Sequence, residues 1–147
     1  MESRRQAMGL TRFLSIDPGE EHVGVAMFSR SDGKWEAMWS NTSAPDRAVD
    51  YIWHTVAHLA VDNVIAEQWR VYPGMAEWSE CRTAEVIGVV RHLCRRFNIP
   101  FETVPARVKN PARAFVRRAD IPLIGDTVHA KDAELIGWYW INAGEAA

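Results

Sequence analysis

Cysteine is scarce, with only Cys81 and Cys94 among 147 residues. The two are not in Cys-x-x-Cys spacing and both fall inside a helical pattern, so they read as buried or half-buried free thiols and no disulfide is expected. Long apolar runs are also missing. No uninterrupted stretch approaches the roughly 20 residues of a membrane-spanning helix, and the start, MESRRQAMGLTR, lacks the apolar segment of a secretory signal. A cytoplasmic protein with no membrane partner is the expectation. Internal repeats, low-complexity segments and linkers that would mark a second domain are absent too. With 48% apolar and 24% charged residues, the chain has the composition of one globular domain. That domain is taken as residues 12–147, after a disordered leader of residues 1–11.

An overall basic excess is lacking, since the net charge is −2. The distribution matters more than the sum. From Cys81 to Arg118 nine basic residues (Arg82, Arg91, Arg95, Arg96, Arg107, Lys109, Arg113, Arg117, Arg118) face only Glu85 and Glu102, a local balance of +7 that leaves −9 for the rest. Such segregation lets one segment follow a polyanion while acids elsewhere hold metal ions. A solvated, arginine-rich helix face is the plainer alternative.

Phe13–Asp17 reads as a short buried strand stopped by Pro18-Gly19. Val23–Phe28 is a second strand, Ser31-Asp-Gly33 a hairpin turn and Trp35–Trp39 a third strand, which together predict an antiparallel meander. Ser43-Ala-Pro45-Asp46 has the chemistry of a helix start with Ser43 as cap, and apolar positions at helical period carry that helix to about Leu59. His54 and His58 share one face of it and read as surface or groove-lining histidines. Val61–Glu67 is a fourth strand, about Glu80 to Phe97 a long helix, and Ile99–Val104 a fifth strand. Asn110-Pro111 opens a short basic helix, and Asp126 caps a terminal helix reaching roughly Ile141. The order βββαβαβαα predicts an α/β fold of the RNase H-like kind: a mixed five-stranded sheet, antiparallel meander then parallel strands, flanked by helices.

In such a sheet ligands gather at the carboxyl ends of neighbouring parallel strands. Asp17 and Glu67 each end one. His129 and Asp132 lie three apart on the terminal helix, so they point from one face and can reach the same strand ends. Each signal alone is weak, because Asp-Pro-Gly is common in ordinary turns; their order along this topology is what joins them. Hydrolysis of a phosphodiester at neutral pH needs an activated water and a neutralised phosphate, which two divalent ions on carboxylates provide.

Leu-Ser-Ile-Asp17-Pro-Gly followed by Val-Gly-Val-Ala, then Ala-Glu67-Gln68, then His129-Ala-Lys-Asp132-Ala resembles in order the acidic motifs of the RuvC family of Holliday junction resolvases. The resemblance covers most of the chain. It implies a homodimer that cuts opposed strands of four-way DNA junctions, with two Mg2+ or Mn2+ ions per active site and Asp17, Glu67, His129 and Asp132 as catalytic metal ligands. Pro105-Ala-Arg107-Val-Lys109 resembles the family's segment in which a basic residue approaches the scissile phosphate. The sequence departs from the bacterial pattern between Lys109 and His129, a short stretch without the usual Gly-x-Gly, and in the loop after Glu67. Relaxed selectivity, extending to forks, flaps and other branched DNA, is the expected result. A compact, diverged member of this kind would suit a bacteriophage.

Seven residues are expected to contact DNA: Trp69, Arg70 and Tyr72 in the loop leaving the catalytic strand, and Arg82, Lys109, Arg113 and Arg117 on backbone phosphates. The long helix, through Ala84, Ile87, Gly88 and Val89, is the expected dimer face. Two other readings stay open, a RuvC-like nuclease that processes structured RNA and a non-catalytic DNA-binding module. The phosphotransferase branch of related folds is disfavoured by the absence of a second phosphate-binding glycine motif.

Overall fold

The computed structural model describes residues 9–68 and 82–146. Trp69, Arg70, Tyr72 and Cys81, like residues 1–8, lie outside the described residues. The elements in chain order are β1 (Arg12–Asp17), β2 (Val23–Ser31), β3 (Lys34–Ser43), α1 (Pro45–His58), β4 (Asn63–Glu67), α2 (Arg82–Arg96), β5 (Phe101–Val104), a 3-10 turn (Ala106–Val108), α3 (Lys109–Arg118) and α4 (Val128–Ala146). They form one five-stranded sheet in the order β3-β2-β1-β4-β5. β1, β2 and β3 pair antiparallel, while β4 pairs parallel with β1 and β5 parallel with β4. The predicted meander followed by parallel strands is what forms.

The strands' period of two sorts side chains between two cores. Leu14, Ile16, Val64 and Ala66 pack with Ala48, Ile52 and Val56 of α1 and Val86, Val90 and Cys94 of α2. Phe13, Ile65 and Val104 face the other way and pack with Ala112 and Val116 of α3 and Ala133, Ile136 and Trp140 of α4. Ser15, on that second face, donates its hydroxyl to the Ala133 carbonyl at 2.6 Å and fastens the middle strand to α4. Cys94 is a free, buried thiol whose pKa burial pushes up to about 11. Among the described residues no helix is long and apolar enough to cross a membrane.

Local chemistry explains where these elements begin and end. Asp32 and Gly33 take φ of 53° and 77°, the left-handed pair that a two-residue hairpin loop requires, so Ser31 pairs with Lys34. β3 runs four residues past its predicted end because its pairing with β2 continues to Val23 opposite Ser43. Ser43 is therefore strand, and the cap of α1 is Ala44, with no side-chain hydrogen bond and with Pro45 supplying the helical φ. α4 is capped by Thr127 and not by Asp126: the Thr127 hydroxyl accepts the Ala130 amide at 3.2 Å. A register shift between Met27 and Phe28 leaves Met38 without a partner, and this bulge turns Trp35 and Trp39 to opposite faces. Trp35 packs in the α4 core and Trp39 against the α1 core.

Residues 10 and 11 of the expected leader touch the fold. Leu10 packs against the α4 core, and the Asp62 carboxylate accepts hydrogen bonds from the Thr11 amide (2.8 Å), the Thr11 hydroxyl (2.9 Å) and the Arg12 amide (2.9 Å). Burial alone would raise the Asp62 pKa, but these donors hold it below its ordinary 3.8. Because the folded pKa is depressed, the stabilisation is present above pH 3.8 and is lost as pH falls through the lower folded value. Asp62→Ala is expected to cost about 1–2 kcal/mol near neutrality. Urea unfolding of both proteins should show that gap narrowing in acid; a gap independent of pH would remove the carboxylate as its cause.

Candidate active site

Period-two alternation that sends Ser15 toward α4 also sends Asp17 there, and β4 does the same for Glu67 after Ile65. The register sets Ile16 opposite Ala66, so the residues that follow, Asp17 and Glu67, end adjoining parallel strands at one level. α4 lies across that face. Its approach to the sheet depends on Gly24, which pairs with Asp17: a Cβ there would fall inside van der Waals contact of the His129 carbonyl. This close contact seats the first turn of α4, and with it His129 and Asp132, over the strand ends.

The four predicted ligands are brought together, with Lys109 among them. The Lys109 ammonium lies 3.2 Å from Asp17 Oδ1, 3.0 Å from Glu67 Oε2 and 3.3 Å from Asp132 Oδ2. His129 Nδ1 is 3.0 Å from Asp17 Oδ2, and Arg113 Nη2 is 3.5 Å from Asp132 Oδ1. The Asp17, Glu67 and Asp132 side chains are 5%, 17% and 13% exposed, dry enough for their charges to matter. Burial, and then a hydrogen bond with Asp17, push the Glu67 pKa up to about 7 against the pull of Lys109. The Lys109 pKa is also raised, for a different reason: burial would lower it, but Asp17, Glu67 and Asp132 hold it above the ordinary lysine range. Glu67 Oε2 is buried and accepts no hydrogen bond, so its contact with Lys109 is an ion pair without hydrogen-bond geometry. Among the described residues no three His, Cys, Asp or Glu side chains are arranged to hold a metal ion as they stand. The carboxylates instead converge on a lysine.

Of the expected DNA contacts, Lys109 is thus inside the site, Arg113 at its rim, and Arg117 exposed one helical turn further along α3. Arg82 is exposed at the start of α2. Its amide, with that of Thr83, donates to the Glu20 carboxylate at 3.0 and 3.4 Å, which ties α2 to the turn after Asp17. Sequence reasoning passed over Glu20 and also His22, whose ring centroid lies 5.8 Å from that of His129. Their position in the same turn as Asp17 was the available signal. It also passed over Glu134, a fully buried carboxylate that accepts from Ser40 Oγ (2.9 Å) and the Ile124 and Gly125 amides (both 2.8 Å) and so binds α4 to β3 and to the segment before it. His54 and His58 stack on each other at 5.8 Å on the exposed face of α1, remote in contacts from the acidic cluster.

The sequence matches no protein-family profile and no curated protein sequence. The fold does match solved structures. Thermus thermophilus RuvC in complex with a Holliday junction substrate superposes with a TM-score of 0.70 at 14% identity, covering 92% of this chain and 97% of that one. The fowlpox virus Holliday junction resolvase superposes with a TM-score of 0.60 at 13% identity, covering 90% and 98%. Its complex with substrate junction DNA gives 0.63 at 11%, covering 90% and 97%. The architecture is accordingly the RNase H-like one that RuvC has.

Proposed function

We propose that this chain is a metal-dependent endonuclease that cuts branched DNA, four-way junctions above all and also forks and flaps. The observation that carries the reading is the convergence of Asp17, Glu67 and Asp132 on one cation at adjoining strand ends. It occurs on a fold shared with two proteins whose structures contain junction DNA.

The donor set fits a divalent ion. Three carboxylates meet at the Lys109 ammonium, the His129 imidazole meets the other oxygen of Asp17, and Glu67 Oε2 is buried without a hydrogen bond; with the ammonium displaced and the side chains turned inward, these donors would suit a cation. Oxygen donors suit Mg2+, and His129 adds a ligand that suits Mn2+. Bound in two positions, such ions would supply an activated water and neutralise charge on the phosphate. The chain's own residues do the rest. Asp17, Glu67, His129 and Asp132 would hold the ions; Lys109 and Arg113 would then be free to face the phosphate, and Arg82 and Arg117 would hold backbone phosphates. Trp69, Arg70 and Tyr72, which come shortly after Glu67 in the sequence, would supply stacking and charge to the DNA.

Two equivalent strands in a junction call for two sites, and a homodimer supplies them. Of the four α2 residues expected to meet a partner, Gly88 and Val89 are exposed, Ala84 is half-buried, and Ile87 is buried within the chain. The interface therefore centres on Gly88 and Val89. Residues 12–147 act as one nuclease domain, and the cytoplasm, where DNA is met, is its compartment.

Mapped cleavage of labelled four-way junctions, forks, linear duplex and structured RNA, each with Mg2+ and with Mn2+, tests the reading. Cuts in branched DNA that need a divalent ion support it. Cleavage confined to RNA, or junction binding with no cutting under any metal, would overturn it in favour of RNA processing or a binding module. Gly24→Ala offers a geometric check, because the added methyl must push the first turn of α4 away from β2. Cleavage at saturating metal is expected to fall about 100-fold, as misplacements near 1 Å do; an unchanged rate would show that this contact does not set the site.

A further inference from the structure

The helix α2 carries three basic residues that the site does not use, Arg91, Arg95 and Arg96. Arg91 and Arg95 lie four apart on α2, hence on one face of that helix, and both are exposed. Together with Cys94, Ile99, Phe101 and Thr103 they line a groove of 370 Å³ between α2 and the edge strand β5. The Arg91 guanidinium lies over the Phe101 ring, 5.3 Å from its centroid. Among the described residues no acid lines the groove. The nearest strand acid, Glu102, is on the opposite face of β5, where it accepts from Asn63 and Trp140. Among the described residues neither arginine has a carboxylate partner, in a chain whose acids outnumber its Lys and Arg residues 19 to 17. Two unpaired guanidiniums on a concave wall with an aromatic floor fit a phosphate backbone.

We infer that this groove is a second DNA-binding surface, which holds the phosphate backbone of one arm of the branched substrate away from the cut. The inference rests on the nuclease reading and extends it in space. α2 starts beside the site, because Glu20 in the turn after Asp17 holds the Arg82 and Thr83 amides. With about 1.5 Å of rise per residue, Arg91 lies roughly 14 Å and Arg95 roughly 20 Å further along the helix axis. At about 3.4 Å per base pair, that reaches about four to six base pairs into the arm.

The test is the salt dependence of binding to a labelled four-way junction in chelator, for the wild type, Arg91→Ala/Arg95→Ala and Arg91→Lys/Arg95→Lys. Each lost phosphate contact should flatten the slope of log affinity against log salt by about 0.9. The alanine pair should therefore lose about two slope units, the lysine pair should keep most of the slope, and rates at saturating junction should be unchanged. With arms trimmed to three base pairs, short of both arginines, the three proteins should bind alike. Equal slopes on long arms would overturn the inference, as would a change in oligomeric mass alone, which would make the groove a subunit contact. A loss of melting temperature with an unchanged slope would also overturn it and leave the arginines as partners of the α2 carboxyl end. If the wild type itself fails to bind the junction, the nuclease reading falls before the groove is tested.

Discussion

Asp17→Asn is expected to reduce junction cleavage by about 10³-fold or more, equivalent to about 4 kcal/mol in activation free energy, while leaving junction binding nearly intact. Asp17 is the most central of the acids: one oxygen faces Lys109 at 3.2 Å and the other His129 at 3.0 Å, and its side chain is 5% exposed. An amide keeps the shape and both contacts but removes the charge that would hold a divalent ion. The fold should survive, since Glu67 and Asp132 still neutralise Lys109. Cleavage rates in Mg2+, paired with binding in chelator and a thermal melt, separate the possibilities. Retained cutting would remove Asp17 from the ligand set, and lost binding with a lowered melt would make it a structural residue.

Replacing the lysine should have the largest effect on stability in the absence of metal. In Lys109→Met three largely buried carboxylates lose the ammonium they share, with Arg113 left only at the rim beside Asp132, and removing one partner of a buried ion pair costs about 3–5 kcal/mol. The lower end is expected here, because Glu67, with its pKa already raised to about 7, relieves the repulsion by keeping a proton. For a chain of this size the melting temperature in chelator should drop by about 10 °C. Added Mn2+ should then raise it more in the variant than in the wild type, because the ion no longer competes with an ammonium for the same oxygens. Equal melts in chelator, or an equal shift on adding metal, would show that Lys109 does not occupy the point where the ion binds.

The lysine's place also shows where the sequence stops being informative. Asp17 and Glu67 were legible because each ends an apolar run, and a strand end is a local signal. His129 and Asp132 were legible from their spacing on a helix. That Lys109 would enter the cluster depends on how α3 packs between β5 and α4, through Ala112 and Val116, and no short-range pattern encodes such docking. Glu134 escaped for a related reason. α4 is covered by the sheet on one side and by α3 and residues 121–125 on the other, so its apolar positions run nearly all round and a buried acid leaves no break in period. The bulge at Met38 is a third case: pattern alone sets Trp35 and Trp39 on one face, and only the pairing with β2 shows the extra residue that separates them. The hairpin, by contrast, was fully written in Ser31-Asp-Gly33, since a left-handed pair is a property of the residues themselves.

Ser15 reaches across 118 positions to the Ala133 carbonyl, and Asp17 meets its partners on α3 and α4 across comparable spans. The constellation thus has a very high contact order. A ribosome making this protein releases β1 more than a hundred residues before α4, and until α4 docks, two of the four proposed ligands have no position relative to the other two. Cleavage activity should appear in a single step, when α4 has been released and docks, and chains interrupted before residue 128 should be inert toward the DNA around them.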